Sequence, residues 1–470
     1  MPSRDSRSAR AIAAVVLREF ASTRDYAGPI LDRLLDETEE KQRATDLVYG
    51  TLRNLNALDT VIAQFSGRQT ARIDPPLLSI LRIGAYELVY SPATPVYSIV
   101  NEAVSNVENA GGKKQTGFVN AVLRQIERHI TDRQIDLGQA NPTRTLVQTP
   151  QSGCQFDTDL LPDPATSLQV YLSTCFSLPS WLVGEWLEQF GTDPTRQICF
   201  ACNRRPSLYI RVNSLRTTAR DLLARFEQAG VHAESAALGG IVKVEGLGDG
   251  SVPDMIRITG PHAVTQLPGF ADGLFTIQDL SAAQAVRILD PQPGWSILDL
   301  CSAPGTKTSQ LAEATRDAAR ILATDINPER LDRVRENIAR LGLTSVTTIP
   351  YAQLEQGQAE SFDAVLLDAP CSNTGVLARR VEARLRLRRK AVQEIAATQK
   401  ALLAKAAGLV KSGGRICYST CSIQRRENQD VREFLLESRQ FELVHEELIL
   451  PSAKPFDHDG AYVALLTRSS

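Results

Sequence analysis

Six short apolar runs, at 296–300, 320–325, 346–350, 362–368, 414–419 and 461–466, constrain the fold more than any other feature of this chain. Stretches with helical spacing separate them at 306–315, 328–341, 391–411 and 425–437. Continuous apolar runs of this length read as strands buried on both faces, and strands alternating with helices read as a largely parallel sheet covered on each side. The expected fold class for residues 271–470 is therefore α/β, a Rossmann-like doubly wound sheet. Ligands of such sheets bind beyond the carboxyl ends of the strands. The residues just past each run are where chemistry is expected.

The first run, Ser296-Ile-Leu-Asp-Leu300, is followed by Cys301, Ser302, Ala303, Pro304, Gly305, Thr306 and Lys307, where a helix opens. Gly305 lets the backbone come close to a ligand, and helix N-terminal amides can meet a carboxylate. The second run ends in Asp325, an acid suited to a ribose diol. The turn has neither the GxGxxG nor the Walker A spacing, and its plain alternative is a tight strand–helix turn with no ligand. The fourth run ends in Asp368, with Ala-Pro-Cys371 next, and Thr-Cys421 follows the fifth. Two thiols at one sheet edge suggest thiolate catalysis, with Lys307 supplying charge that lowers a thiol's pKa. Burial in the core is the competing fate of any free cysteine, and the expected one for Cys301 and Cys417, which lie in or beside strands. Cys199-Phe-Ala-Cys202 lacks a second ligand pair and is expected to pack rather than hold metal.

The rest of the chain sets the context. At 470 residues it is long enough for two or three domains. Residues 1–130 carry apolar stripes at helical spacing, broken at Gly67, Asp74-Pro75-Pro76, Ser91-Pro92, Pro95 and Gly111-Gly112, and predict an all-α bundle. Residues 131–166 are polar, hold four prolines and show no period, which predicts a linker. Residues 167–270 predict a small α+β subdomain, with strand-like segments at 207–213, 241–245 and 263–267 and a helix at 217–229. The net charge of −2 leaves any polyanion to a local patch, and 379–390 offers one, with seven basic residues and one acid. The plain alternative there is a solvated helix face. The Arg-rich start and Lys113-Lys114 are lesser candidates, equally explained as surface charge. Eight scattered cysteines do not resemble a disulfide scaffold, and no apolar run is long enough to span a membrane. A cytoplasmic monomer without a metal is the expectation.

The strand-end segments resemble RNA (cytosine-C5) methyltransferases of the NOL/NOP2/Sun group. The resemblance covers about 167–470 and rests on Arg211-Val-Asn213-Ser-Leu, Leu267-Pro-Gly-Phe270, Phe275-Thr-Ile-Gln-Asp279-Leu-Ser, the turn 299–308, Asp368-Ala-Pro-Cys371, Ser419-Thr-Cys421 and Asp459-Gly-Ala-Tyr. Residues 1–130 resemble a NusB-like RNA-binding domain through Arg82-Ile-Gly-Ala-Tyr-Glu-Leu, Val100-Asn-Glu-Ala-Val104 and 117–124. The combination is similar to family members that modify ribosomal RNA of the small subunit. The resemblance implies a class I S-adenosylmethionine-dependent fold, with Cys421 as nucleophile and Cys371 aiding product release. It implies Asp368 on the cytosine edge, and S-adenosylmethionine held by residues 301–307, Asp325 and Asp368. Where the family has an acid after the third strand, this chain has Tyr351, which is expected to stack instead. A different class of function is a non-catalytic RNA-binding factor built on a vestigial methyltransferase fold.

Overall fold

The computed structural model describes residues 6–20, 26–109, 112–237, 254–260, 262–354 and 359–469. The chain forms two compact units: Met1–Arg204 with Leu377–Leu387, and Arg205–Val376 with Arg388–Ser470.

The first unit begins with seven helices: α1 (Ala9–Glu19), α2 (Ala27–Leu34), α3 (Lys41–Arg53), α4 (Leu55–Ser66), α5 (Pro75–Tyr90), α6 (Val96–Asn109) and α7 (Thr116–His129). Their punctuation is local chemistry: Ser8 caps α1 by accepting from the Ala11 amide, prolines open α5, and Gly67 ends α4 in the left-handed region. Arg10 is buried and donates to the buried Glu87 at 2.9 Å, so this member of the Arg-rich start is a core ion pair and not a surface contact. The segment expected as a linker instead forms an antiparallel sheet of β1 (Ile130–Asp136), β3 (Ser152–Phe156) and β2 (Thr145–Val147). Its apolar content is sparse but well placed. Leu146, Cys154 and Phe156 are buried, and the Arg133 guanidinium donates to the carbonyls of Glu87, Leu88, Ser91 and Thr94. Three helices follow, α8 (Leu168–Cys175), α9 (Ser180–Phe190) and α10 (Thr192–Asn203), which the sequence reading grouped with the next subdomain.

The second unit contains two sheets. The smaller is antiparallel, in the order β5-β6-β4-β7, from β4 (Leu208–Val212), β5 (Ala233–Ala236), β6 (Met255–Ile258) and β7 (Phe275–Ile277), with α11 (Ala219–Gln228) packed on it. The strand expected at 241–245 lies outside the described residues. The one expected at 263–267 is a single helical turn, Val264–Gln266, after which Gly269 turns the chain at φ +91°. The larger sheet is built from β8 (Ser296–Asp299), β9 (Arg320–Asp325), β10 (Val346–Pro350), β11 (Phe362–Asp368), β12 (Val410–Thr420), β13 (Phe441–Ile449) and β14 (Ala461–Arg468). Its order is β10-β9-β8-β11-β12-β14-β13, with β14 antiparallel to both neighbours. Helices α12 (Gln284–Leu289), α13 (Thr306–Ala314), α14 (Pro328–Leu341), α15 (Ala383–Arg386), α16 (Arg389–Leu409) and α17 (Gln429–Leu436) complete the chain, α15 belonging to the first unit. Alternate strand residues feed two cores: Leu298, Val365 and Leu367 pack with α16 and α17, while Ile297, Ala364 and Leu366 pack with α12 and α13. β13 was not foreseen, because three Glu and one His interrupt its apolar residues and leave no apolar period. No helix among the described residues is long and apolar enough to cross a membrane.

The basic stretch 379–390 is divided by this architecture. Val381 lies in the core of the first unit with α1, α2 and α3. Glu382 accepts the Ala27 amide at 3.0 Å. Arg384 is buried and donates to the carbonyls of Arg53, Phe176, Cys202 and Leu377 and to Asn203 Oδ1, at 2.7–3.2 Å. Arg53, Phe176 and Cys202 stand at the carboxyl ends of α3, α8 and α10, where unpaired carbonyls and the helix dipoles favour a cation. Burial lowers the Arg384 pKa to about 10, which leaves it charged. Arg384 therefore serves the first unit's core, and the stretch is not one continuous basic surface: Arg380, Arg388, Arg389 and Lys390 are exposed, while Arg384 is buried. Arg384→Met should destabilise the full chain by about 3 kcal/mol, because it leaves buried acceptors without donors, while the exposed Lys390→Ala should cost under about 0.5 kcal/mol. Urea unfolding of both variants checks this.

Candidate active site

The turn after β8 is held by its neighbours before any ligand is considered. The Ser302 amide and hydroxyl both donate to the Thr324 carbonyl, at 2.8 and 2.9 Å, and the Gly305 amide donates to the Ser302 carbonyl at 2.7 Å. Gly305 has φ +96°, and a Cβ there would lie 3.2 Å from Val334 of α14, so the position needs glycine for both conformation and space. Asp325, buried at the end of β9, accepts from the Ala303 amide at 3.2 Å and the Asn327 amide at 3.0 Å. Next to it Ile326 is 83% exposed, an apolar side chain at the sheet edge that sequence reading did not single out. Cys301 packs against the core, and burial pushes its thiol up to about 12. Tyr351 is half-buried against the same core.

Parallel pairing of β11 with β12 places Asp368 opposite Ser419. Lys307 reaches across from α13, its ammonium 2.6 Å from Asp368 Oδ2, and the Ser419 hydroxyl donates to Asp368 Oδ1 at 2.9 Å. Burial would lower the Lys307 pKa, but the charge of Asp368, its hydrogen bond and the charges of Cys421 and Asp299 outweigh this and raise it. Past the strand ends, the Cys371 and Cys421 sulfurs lie 2.8 Å apart, and the Cys421 thiol donates to Asn373 Oδ1 at 3.3 Å. The hydrogen bond to Cys421, then burial and the charges of Cys421 and Glu427, push the Cys371 thiol well above its ordinary value. Gly375 lets the two loops close on each other: its amide donates to the Cys421 carbonyl at 2.9 Å, and a Cβ would sit 2.8 Å from that oxygen. A cavity of about 60 Å³ beside these groups is lined by Lys307, Ser419, Cys421, Asp279 and Asp459.

The expected site residues thus fall into two connected groups, Lys307, Asp368, Cys371 and Cys421 on one side and the turn 301–306 with Asp325 on the other. Sequence reading missed Asn373, Ser419 and Glu427. Asn373 carried a signal, since its φ of +62° is one that Asn tolerates better than most residues. Asp279 and Asp459 had been quoted only as part of a resemblance.

Asp299 ends β8 beneath the turn and is buried. The Thr308 hydroxyl donates to its Oδ2 at 2.6 Å, while Oδ1 has no partner. Burial, against that hydrogen bond, pushes its pKa from 3.8 to about 7. Between these two pH values the folded chain holds a proton that the unfolded chain has released. Stability therefore falls as pH rises through this window, by up to about 1.4 kcal/mol per unit. Asp299→Asn removes the effect. Urea unfolding at pH 5, 6 and 7 should show the variant gaining on the wild type with each step, and parallel pH profiles would contradict the assignment.

Comparison with known proteins places the whole chain. The NusB family matches residues 7–128, an RsmF/B-like ferredoxin-like domain matches 178–245, and the 16S rRNA methyltransferase RsmB/F family matches 286–461. The ribosomal RNA small subunit methyltransferase B of Serratia proteamaculans is 34% identical over 438 residues, covering 91% of this chain and 89% of its own. A probable ribosomal RNA small subunit methyltransferase B of Synechocystis is 31% identical over 441 residues, 92% and 90% of the two chains. Among solved structures, PH0851 shares the fold with a TM-score of 0.70 at 24% identity, over 98% of this chain and 99% of that one. NSun6 from Pyrococcus horikoshii, solved with SFG, has a TM-score of 0.50 at 20% identity over 62% of this chain and 98% of its own. The chain belongs to the RsmB family of ribosomal RNA small subunit methyltransferases.

Proposed function

We propose that this protein methylates C5 of cytosine in small-subunit ribosomal RNA through a covalent bond between Cys421 and the base. The observation that carries the reading is the pair of sulfurs 2.8 Å apart beside the Lys307–Asp368 ion pair. C5 of cytosine is a poor nucleophile, and addition of a thiolate at C6 makes it enamine-like.

S-adenosylmethionine is the cofactor, and when bound it supplies the electrophilic methyl group. The residues present fit it. Asp299 Oδ1 is a buried acceptor without a donor, which an amino group would satisfy. Asp325 stands at the strand end where a ribose diol would bind, beside the exposed apolar face of Ile326. The turn from Cys301 to Thr306, with Lys307 and Asp368, would complete the holding set.

The chain's own groups divide the work. Lys307 places its positive charge toward the Cys421 sulfur, where the attacking group sits. Asp368, fixed by Lys307 and Ser419, presents a carboxylate to the amino edge of the base. The Cys421 sulfur bonds C6, C5 gains the methyl group, and the C5 proton must then leave before the C6–S bond breaks. Cys371 suits that last step. The leading cause of its raised pKa is the Cys421 sulfur, and that sulfur becomes a neutral thioether in the adduct. With that cause removed, Cys371 can release its thiol proton to solvent and, as a thiolate, take the C5 proton as the C6–S bond breaks and the Cys421 sulfur leaves as a thiolate.

Cys421→Ala should lower methyl transfer by about a thousandfold or more, measured by bisulfite sequencing of ribosomal RNA incubated with the full chain. Undiminished product would remove the nucleophile. Cys371→Ala should accumulate a protein–RNA adduct that survives denaturing electrophoresis. Asp325→Ala should weaken S-adenosylmethionine binding by about 1–3 kcal/mol in calorimetry.

A further inference from the structure

Glu427 is fully buried, and its carboxylate meets the residue that follows each cysteine. The Ser372 amide donates to Oε1 at 2.7 Å, the Ser422 hydroxyl donates to Oε2 at 2.5 Å, and the Ser372 hydroxyl also donates to Oε2. Gln399 of α16 adds a third hold: its amide donates to Glu427 Oε1 at 3.3 Å and to the carbonyl of Pro370, the residue before Cys371, at 2.8 Å. Every one of these partners is a neutral donor. A buried carboxylate without a cation is costly, so it is retained for what it holds. What it holds is the start of each cysteine loop.

We propose that Glu427 is a positioning residue that locks the two cysteine loops together and keeps Cys371 a proton carrier while Cys421 attacks. This rests on the covalent reading above. With both loops tied to one carboxylate, the two sulfurs cannot drift apart without breaking its hydrogen bonds. The negative charge also discourages a second thiolate at Cys371. The titratable groups around Cys371 are Tyr418 of β12, Cys421 just past that strand, Glu427, and the Lys307–Asp368 pair, whose ammonium faces Cys421. Among these Glu427 is the group that touches both loops.

Thiol chemistry on the full chain without RNA tests the lock apart from methyl transfer. Diamide joins two thiols as a disulfide and is reduced to its hydrazine, and peptide mass spectrometry reads the Cys371–Cys421 link. Glu427→Ala should slow that link about tenfold. Glu427→Gln removes the charge but still ties the loops, its amide oxygen accepting where Oε1 does and its NH2 donating to the two serine hydroxyls, and should restore the rate within about twofold. In the same Gln variant, iodoacetamide should alkylate Cys371 at pH 8 about tenfold faster than in the wild type, with Cys421 unchanged. Wild-type linking and alkylation rates in Glu427→Ala overturn the proposal. If that variant does not fold, Ser372→Ala and Ser422→Ala are read instead. Each should alter alkylation of the adjacent cysteine, and no change in either overturns the lock. In methylation assays Glu427→Gln should retain adduct, because a less basic Cys371 takes the C5 proton more slowly. Wild-type thiols that link normally in a chain that methylates no RNA would count against the proposed function and leave the lock standing.

Discussion

Asp368 and Ser419 face each other across neighbouring parallel strands, and the rest of the site follows from that register. Three residues beyond Asp368 comes Cys371, and two beyond Ser419 comes Cys421. A slip of one residue would turn alternate side chains to the opposite face and separate the sulfurs. The register is held from both sides. Val365 and Leu367 point into one core, Ala364 and Leu366 into the other, so a slip would exchange side chains of different size between two packed cores. Beyond the strand ends, Gly375 closes the remaining distance by bringing its amide onto the Cys421 carbonyl. Apolar packing thus sets a separation that polar groups then use.

Electrostatics in this edge are arranged by burial as much as by pairing. Asp368 has a cation, the Lys307 ammonium, at 2.6 Å. Asp299 has one hydroxyl donor and a bare oxygen, and its pKa rises to about 7. Glu427 has only neutral donors, and burial raises its pKa despite them. Burial and partner charge thus act differently on three carboxyl groups at one sheet edge. Arg384 applies the same rule in the first unit: a cation without a carboxylate is stabilised by carbonyls at helix ends.

How much of this was legible in the sequence depends on period and on range. The buried strands announced themselves because runs such as 362–368 are apolar on both faces, and the two cysteines proposed for catalysis, Cys371 and Cys421, stand just past them. β13 did not, because an edge strand need not be apolar. The sheet within 130–156 was hidden by polar residues such as Arg133, whose hydrogen bonds are met by main-chain carbonyls of the first unit. The basic stretch misled for a related reason. Composition counts Arg384 with its neighbours, and only tertiary structure shows it buried among carbonyls. Glu427 was missed because, of its partners, only Ser422 lies near it in sequence. Its contacts with Ser372 and Gln399 span 55 and 28 positions, and no local pattern encodes them.

The central claim is a bond between one named sulfur and one ring carbon. Its most direct measurement is mass mapping of the peptide that retains a nucleotide after the full chain meets S-adenosylmethionine and small-subunit ribosomal RNA carrying 5-fluorocytidine, in which fluorine replaces the proton that must leave. The account predicts the nucleotide on Cys421. A nucleotide on Cys371, or methylated RNA with no retained nucleotide on either cysteine, would contradict it.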